Sequence, residues 1–394
     1  ICSEEKELIS PYGITKWIDA RVKVFLYALY LHQAFIENLA KQFKKNLSLS
    51  VDILKGRVPA DNSIAWKMGF ESLWITAPVI STTFASFSRL FAGLNKEDIG
   101  WLLIDEAGQA VPQAAVGAIW RSKRVVVVGD PLQLEPICNI PFVLEEKLAE
   151  KFGLQDERKK FFPTISSVQI LADNATFIGT WIGEDSDSIW VGCPLRVHRR
   201  CSSPMFDISN KIAYKGLMIQ GKREFSSSLP ESCWYDVKGK KFKGNWVEEE
   251  GEKLKELLEE LSELSKRGAI DITKDVFIIS PFRDVVEKCQ EIVKEYRINP
   301  NKIGTIHTTQ GKEAEIVVIV LGGSTEGARA WAASKPNLLN VAVTRAKERI
   351  YIIGNVDVWK NKPHFCDCIK FFKKVRNDKL IYQPIQGGFS NERE

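Results

Sequence analysis

Two uninterrupted apolar runs, each ending in an acidic turn, constrain the fold of this chain more than any other feature. Trp101-Leu102-Leu103-Ile104 runs straight into Asp105-Glu106-Ala107-Gly108, and residues 125–128 run into Gly129-Asp130-Pro131-Leu132-Gln133-Leu134. A strand with one face in water alternates apolar and polar residues. A run without alternation predicts a parallel strand buried on both faces by crossover helices. Open parallel sheets bind ligands at the carboxyl ends of their strands, where these carboxylates fall. Similar runs recur at 276–279, 316–321 and 350–353, so the expected architecture is α/β, in two layered halves.

Around these runs the pattern is helical or turn-rich. Trp17, Val22, Phe25, Leu26, Leu29 and Phe35 recur at helical spacing and predict a helix over 14–45. Asp61-Asn62-Ser63 marks a break. Residues 74–80 have strand composition and lead into Ser81-Thr82-Thr83. Leu254, Leu257, Leu258, Leu261 and Leu264 share one face of an amphipathic helix over 248–266. Residues 183–188 and 225–231 read as surface loops, and 383–394 as a mobile tail. The boundaries expected are a helical segment over 1–70, an insertion of the first domain whose remainder is 71–172. A second domain follows over 173–360, then a C-terminal helix and tail over 361–394.

Composition excludes several classes. With 394 residues, 44% apolar, the chain can bury two cores of ordinary size. Its net charge of +5 permits a polyanionic partner without requiring one. Of the eight cysteines only Cys366 and Cys368 are close, and no C-x-x-C spacing supports zinc or a disulfide framework. Reduced thiols and a cytoplasmic setting are expected. His32, His198 and His364 are isolated, and the apolar run over 24–31 is too short to span a bilayer.

The acidic pair suits nucleotide chemistry. One carboxylate can orient Mg²⁺ through water while its neighbour positions or deprotonates an attacking water. A plain strand-end acidic turn is the alternative. Gln133, after the next strand, can hydrogen-bond a γ-phosphate or that water. Yet no G-x-x-x-x-G-K-[ST] phosphate loop is present: Gly221-Lys222, Gly239-Lys240 and Gly311-Lys312 are not followed by Ser or Thr.

Asp105-Glu106-Ala107-Gly108, Gly129 to Leu134, Gln310-Gly311-Lys312-Glu313 and Asn340-Val341-Ala342-Val343-Thr344-Arg345-Ala346-Lys347 occur in this order. Together they resemble superfamily 1 helicases, and within them the nonsense-mediated-decay helicase group, over residues 74 to 355. The resemblance implies two RecA-like parallel-sheet domains, the first incomplete here, with ATP between them. Asp105 is then the Mg²⁺ anchor, Glu106 the catalytic base and Gln133 the γ-phosphate sensor. Asp130, Gln310, Gly311 and Glu313 lie beside the nucleotide. Arg196 and Arg345 act as arginine fingers, which in related phosphoryl transfers contribute ~10³–10⁵ in rate. The family's Gln-Tyr-Arg-x-His-Pro is Pro194-Leu195-Arg196-Val197-His198-Arg199 here, which leaves Arg199 and Arg200 as alternative fingers. Lys347 replaces a family arginine and loses its bidentate fork.

Thr82, Thr83 and Ser86 match a region that touches the nucleic-acid backbone in the family, and Thr305, His307 and Thr308 a similar one in the second domain. Strand-end capping is the alternative role. Phe84, Phe87, Leu90 and Phe91, at helical spacing, are expected in the core, and Trp234, Trp246 and Trp331 are read as packing residues.

The function expected is an ATP- and Mg²⁺-dependent helicase or translocase on single-stranded RNA or DNA. The chain, starting at Ile1, is expected to be its carboxyl-terminal portion, inactive alone. The phosphate loop would come from upstream in the same protein or from a partner subunit. A nonhydrolysing nucleic-acid-binding scaffold and one subunit of a split ATPase are the competing readings.

Overall fold

The computed structural model describes residues 4–9, 13–183, 188–222, 229–309, 311–372 and 375–376. Gln310, the tail 383–394 and most of the loops at 183–188 and 225–231 lie outside them. The chain forms two units. One comprises Ile1–Pro131, Glu135–Thr180 and Trp190–Pro194, and the other Leu132–Leu134, Trp181–Ile189 and Leu195–Glu394.

In the first unit β1 (Leu102–Ile104) pairs in parallel with β2 (Val125–Val127), Leu102 opposite Val125 and Ile104 opposite Val127. These four side chains face Ala107, Ala115, Val168 and Phe84, from the helices and turns that follow or flank the strands. The opposite face differs from the expectation of burial on both sides. Trp101 is 59% exposed, Leu103 69%, Val126 38% and Val128 48%. No described helix covers that face, so the apolar run is half-buried.

The predicted helix over 14–45 is two helices, Thr15–Asn38 and Ala40–Leu54, broken at Leu39. The first buries no residue, and Val24, Phe25, Tyr27, Tyr30 and Leu31 stand outward in solvent. The strand predicted over 74–80 is absent. Asn62 caps a helix over Ser63–Thr76 by accepting from Ala65 N at 3.2 Å, and residues 77–83 are irregular. Pro78 donates nothing to a ladder. No described strand lies alongside to pair with Val79 and Ile80, and a strand without a ladder leaves its backbone unpaired. Phe87 and Phe91 pack with Trp66 and Phe70 in a core against which Phe84 and Leu90 rest, as helical spacing predicted.

The second unit is built on six parallel strands: β3 (Cys233–Asp236), β4 (Val276–Ser280), β5 (Ile303–Thr305), β6 (Ala314–Val320), β7 (Ala346–Gly354) and β8 (Val375–Arg376). Their order is β5-β4-β6-β7-β3-β8. Here continuous apolar runs do lie buried on both faces: every residue of β4 is buried, as is Ile316 through Val320. The helix Glu248–Lys266 buries the predicted leucine face, and Arg283–Val293 buries Val285, Val286, Cys289 and Val293. Ser280 lies opposite Thr305 and Ile279 opposite Ile319, so β5, β4 and β6 end level. Trp234 and Trp246 are buried as read. Trp331 is not, being 51% exposed.

Candidate nucleotide and nucleic-acid site

In the first unit β1 delivers Asp105 and Glu106 to its carboxyl end. Glu106 adopts φ +53°, a left-handed conformation costly for a residue with a Cβ. Its backbone N–H donates to Asp105 Oδ1 at 2.9 Å, and its Oε2 accepts from Gln109 Nε2 at 3.1 Å. The pair opens onto a cavity of about 880 Å³ that Thr82, Thr83 and the exposed residues Trp101 and Leu103 also line. Ser86 sits one turn into the helix Phe84–Leu90, half-buried.

Gly129 ends the neighbouring strand against the backbone of this turn. A Cβ there would lie 3.0 Å from both Ala107 N and Gly108 N and 2.7 Å from Gln169 Oε1. Glycine lets the two turns approach. Gln169 and Asp173, both buried, line the far side. Asp173 Oδ1 accepts from Gln169 Nε2 and Gly192 N, each at 2.9 Å, and burial raises its pKa. Asp130 is half-buried.

The second unit holds a separate set. Leu132–Leu134 belongs to it: Leu134 enters its core, Asn340 Nδ2 donates to the Leu132 carbonyl at 2.9 Å, and Asn337 Nδ2 donates to the Gln133 carbonyl. Neither asparagine was singled out from sequence, although Asn340 opens the run that carries Arg345. Glu313 is gripped twice, by Lys347 Nζ at 2.6 Å and Arg200 Nε at 2.9 Å. Lys347's hydrogen bond, with the charges of Arg200 and Arg345, holds that carboxyl below its usual range.

Arg345 is 2% exposed and its Nη1 donates to the Lys312 carbonyl at 2.9 Å, so the guanidinium braces the Gly311–Glu313 turn. Gly311 itself is exposed at φ +73°. Arg196 is half-buried, with Nη1 3.5 Å from the Leu217 carbonyl. Of the four arginines considered as fingers, Arg200 has its contact with Glu313. His198 Nε2 accepts from Cys201 N at 3.0 Å, which requires a neutral ring. Burial, helped by Arg200 and Lys222, lowers its pKa to about 4. Thr305 ends β5 and His307 follows it. Thr305 Oγ1 bonds Thr308, the capping role weighed from sequence, while His307 is exposed.

Two family models, each described as an AAA domain, match residues 38–139 and 191–357, and so take in all four motifs. The chain is 24% identical over 301 residues to the DNA replication ATP-dependent helicase/nuclease DNA2 of Gallus gallus, covering 74% of this chain and 26% of that protein. It is 21% identical over 316 residues to the DNA polymerase alpha-associated DNA helicase A of Saccharomyces cerevisiae, covering 71% and 42%. This chain belongs to superfamily 1 of the helicases. A third relative, an ATP-dependent helicase of Methanocaldococcus jannaschii, is 23% identical over 295 residues, covering 71% and 40%. The chain spans between about a quarter and two-fifths of the length of these relatives.

Within the superfamily 1 frame the donor set fits Mg²⁺. Adjacent carboxylates are hard oxygen donors, and Mg²⁺ keeps several waters and takes few protein ligands. The structure gathers Asp105, Glu106, Thr82 and Thr83 on one cavity, and Glu313, Lys347, Arg200 and Arg345 around one turn.

Proposed function

We propose that this chain is part of an ATP-dependent motor that moves on single-stranded nucleic acid, and that its phosphate loop comes from another polypeptide segment. The observation that carries this is the uncovered face of the first sheet. Trp101, Leu103, Val126 and Val128 are apolar, contiguous and exposed beside a complete acidic turn, and the sequence contains no G-x-x-x-x-G-K-[ST]. A strand and helix carrying that loop would cover the face and hold the β/γ-phosphates with backbone N–H groups and a lysine.

The residues present supply the rest. Asp105 would hold Mg²⁺, which would supply neutralisation of the charge developing on the phosphate. Glu106 orients the attacking water and takes its proton, and Gln133 contacts the γ-phosphate. Arg196 and Arg345 supply positive charge, Asp130, Gln310, Gly311 and Glu313 position the nucleotide, and Thr82, Thr83, Ser86, Thr305 and His307 hold the nucleic-acid backbone. Reduced cysteines fit a cytoplasmic setting.

The test is ATP turnover with and without single-stranded RNA or DNA. The 394-residue chain is expected to turn over little or no ATP, because the phosphates lack their main anchor. Robust turnover that Glu106→Gln abolishes would overturn the reading. So would a failure of the chain to bind any single strand at low salt.

A further inference from the structure

The carboxyl edge of the second sheet carries an aromatic that the fold leaves in solvent. Three strands end level there, and two residues beyond each end stand His307 after β5, Phe282 after β4 and Gly322 after β6. Adjacent strands lie about 5 Å apart, so these positions span about 10 Å along the edge. Phe282 is 7% exposed and supports Trp331, whose ring centroid lies 5.9 Å away at 43°.

The support is specific. Gly323, at φ +80°, lets the chain turn tightly out of β6. A Cβ there would meet Arg329 Cγ at 3.1 Å and Phe282 and Trp359 ring carbons at 3.3 Å. Arg329 Nη1 then fastens the short helix Glu326–Ala332 to the Gly323 carbonyl at 2.6 Å, which fixes Trp331 near its end. A core tryptophan would be covered. This one shows about half of its surface to water from a rigid mount.

The charge alongside is positive. Arg283 is exposed and has no carboxylate partner among the described residues. Its charge reaches His307. Two of the nearby acids are engaged: Asp284 accepts from Asn245 N at 2.6 Å, and Glu326 pairs with Lys362 and Arg329. An aromatic face beside an unpaired cation is the pairing that holds single strands, the base on the ring and the phosphate on the charge.

We infer that Trp331, propped on Phe282, is a stacking platform for one base of a single strand, with Arg283 and His307 on the flanking phosphates. This rests on the nucleic-acid reading above. It adds a contact that neither the motif residues nor the apolar spacing pointed to.

The test is fluorescence anisotropy of labelled oligo(dT) and oligo(U), titrated with the 394-residue chain between 50 and 200 mM salt. Trp331→Ala is expected to weaken binding about 5- to 100-fold with an unchanged salt slope, and Trp331→Phe to retain most of the affinity. Arg283→Ala is expected to reduce the slope of log K against log salt by about 0.7. An oligonucleotide with abasic sites should bind wild type and Trp331→Phe equally weakly, a comparison that stands even where Trp331→Ala fails to fold. Tight wild-type binding unaffected by both Trp331 variants overturns the platform and leaves the motor reading intact. Absence of wild-type binding overturns both.

Discussion

At residue scale, His198 shows how a buried acceptor makes a fold sensitive to acid. Its Nε2 accepts the Cys201 N–H only while neutral, and the folded ring stays neutral down to about pH 4 against 6.5 for an ordinary histidine. Between these values the unfolded chain binds a proton that the folded chain refuses, so stability falls as pH drops through this window. The shift corresponds to at most about 3 kcal/mol. Urea midpoints from pH 7 to 4 should fall further for wild type than for His198→Gln, whose amide oxygen can accept without titrating; equal slopes would sink this account. Gly129 gives a second residue-level expectation. Gly129→Ala forces a methyl onto two backbone nitrogens and should cost about 1–3 kcal/mol in chemical denaturation. The sequence made His198 visible as an isolated histidine but could not show its acceptor role, because Cys201 N reaches it only through the turn of the folded chain. Arg345 was legible as a charge at the end of a motif, and its burial against Lys312 was not.

At the scale of elements, the helix Glu248–Lys266 was readable in full. Five leucines at helical spacing define a buried face whatever the neighbours are. What spacing could not show is Glu250, wholly buried in the first turn, whose Oε2 accepts from Gly322 N at 2.8 Å. Burial pushes its pKa up to about 8. The folded state therefore holds a proton that the unfolded state releases above pH 4.5, and stability declines as pH rises from there to about 8. Glu250→Gln keeps the acceptor and removes the titration. Its thermal midpoint should change less than that of wild type between pH 6 and 9, and a parallel decline would refute this. Composition misled at 74–80 for a related reason. Val79 and Ile80 suit a strand, but a strand exists only with a neighbour to pair with.

At the scale of the whole molecule, the second sheet shows why continuous apolar runs could be read with assurance. Six strands cover one another and helices cover them, so local pattern and tertiary burial agree. In the first unit the same pattern meets only one covered face. Hydrogen exchange should separate the two. Amides of β4, β6 and β7 should exchange at least about tenfold more slowly than those of β1 and β2, because local opening tracks buried apolar contact. Equal protection would refute the link drawn between the uncovered face and local opening. Between Thr180 and Leu195 the chain alternates between the units: Trp181–Ile189 belongs to the second and Trp190–Pro194 to the first.

Glu106 pays for its position. A side chain at φ +53° strains its backbone by the order of 1 kcal/mol, whereas asparagine tolerates that conformation. Glu106→Asn should therefore unfold at higher denaturant than the natural chain while losing the group assigned to the attacking water. The more durable molecule would be the idle one, and a screen for robustness alone would discard the residue that matters most.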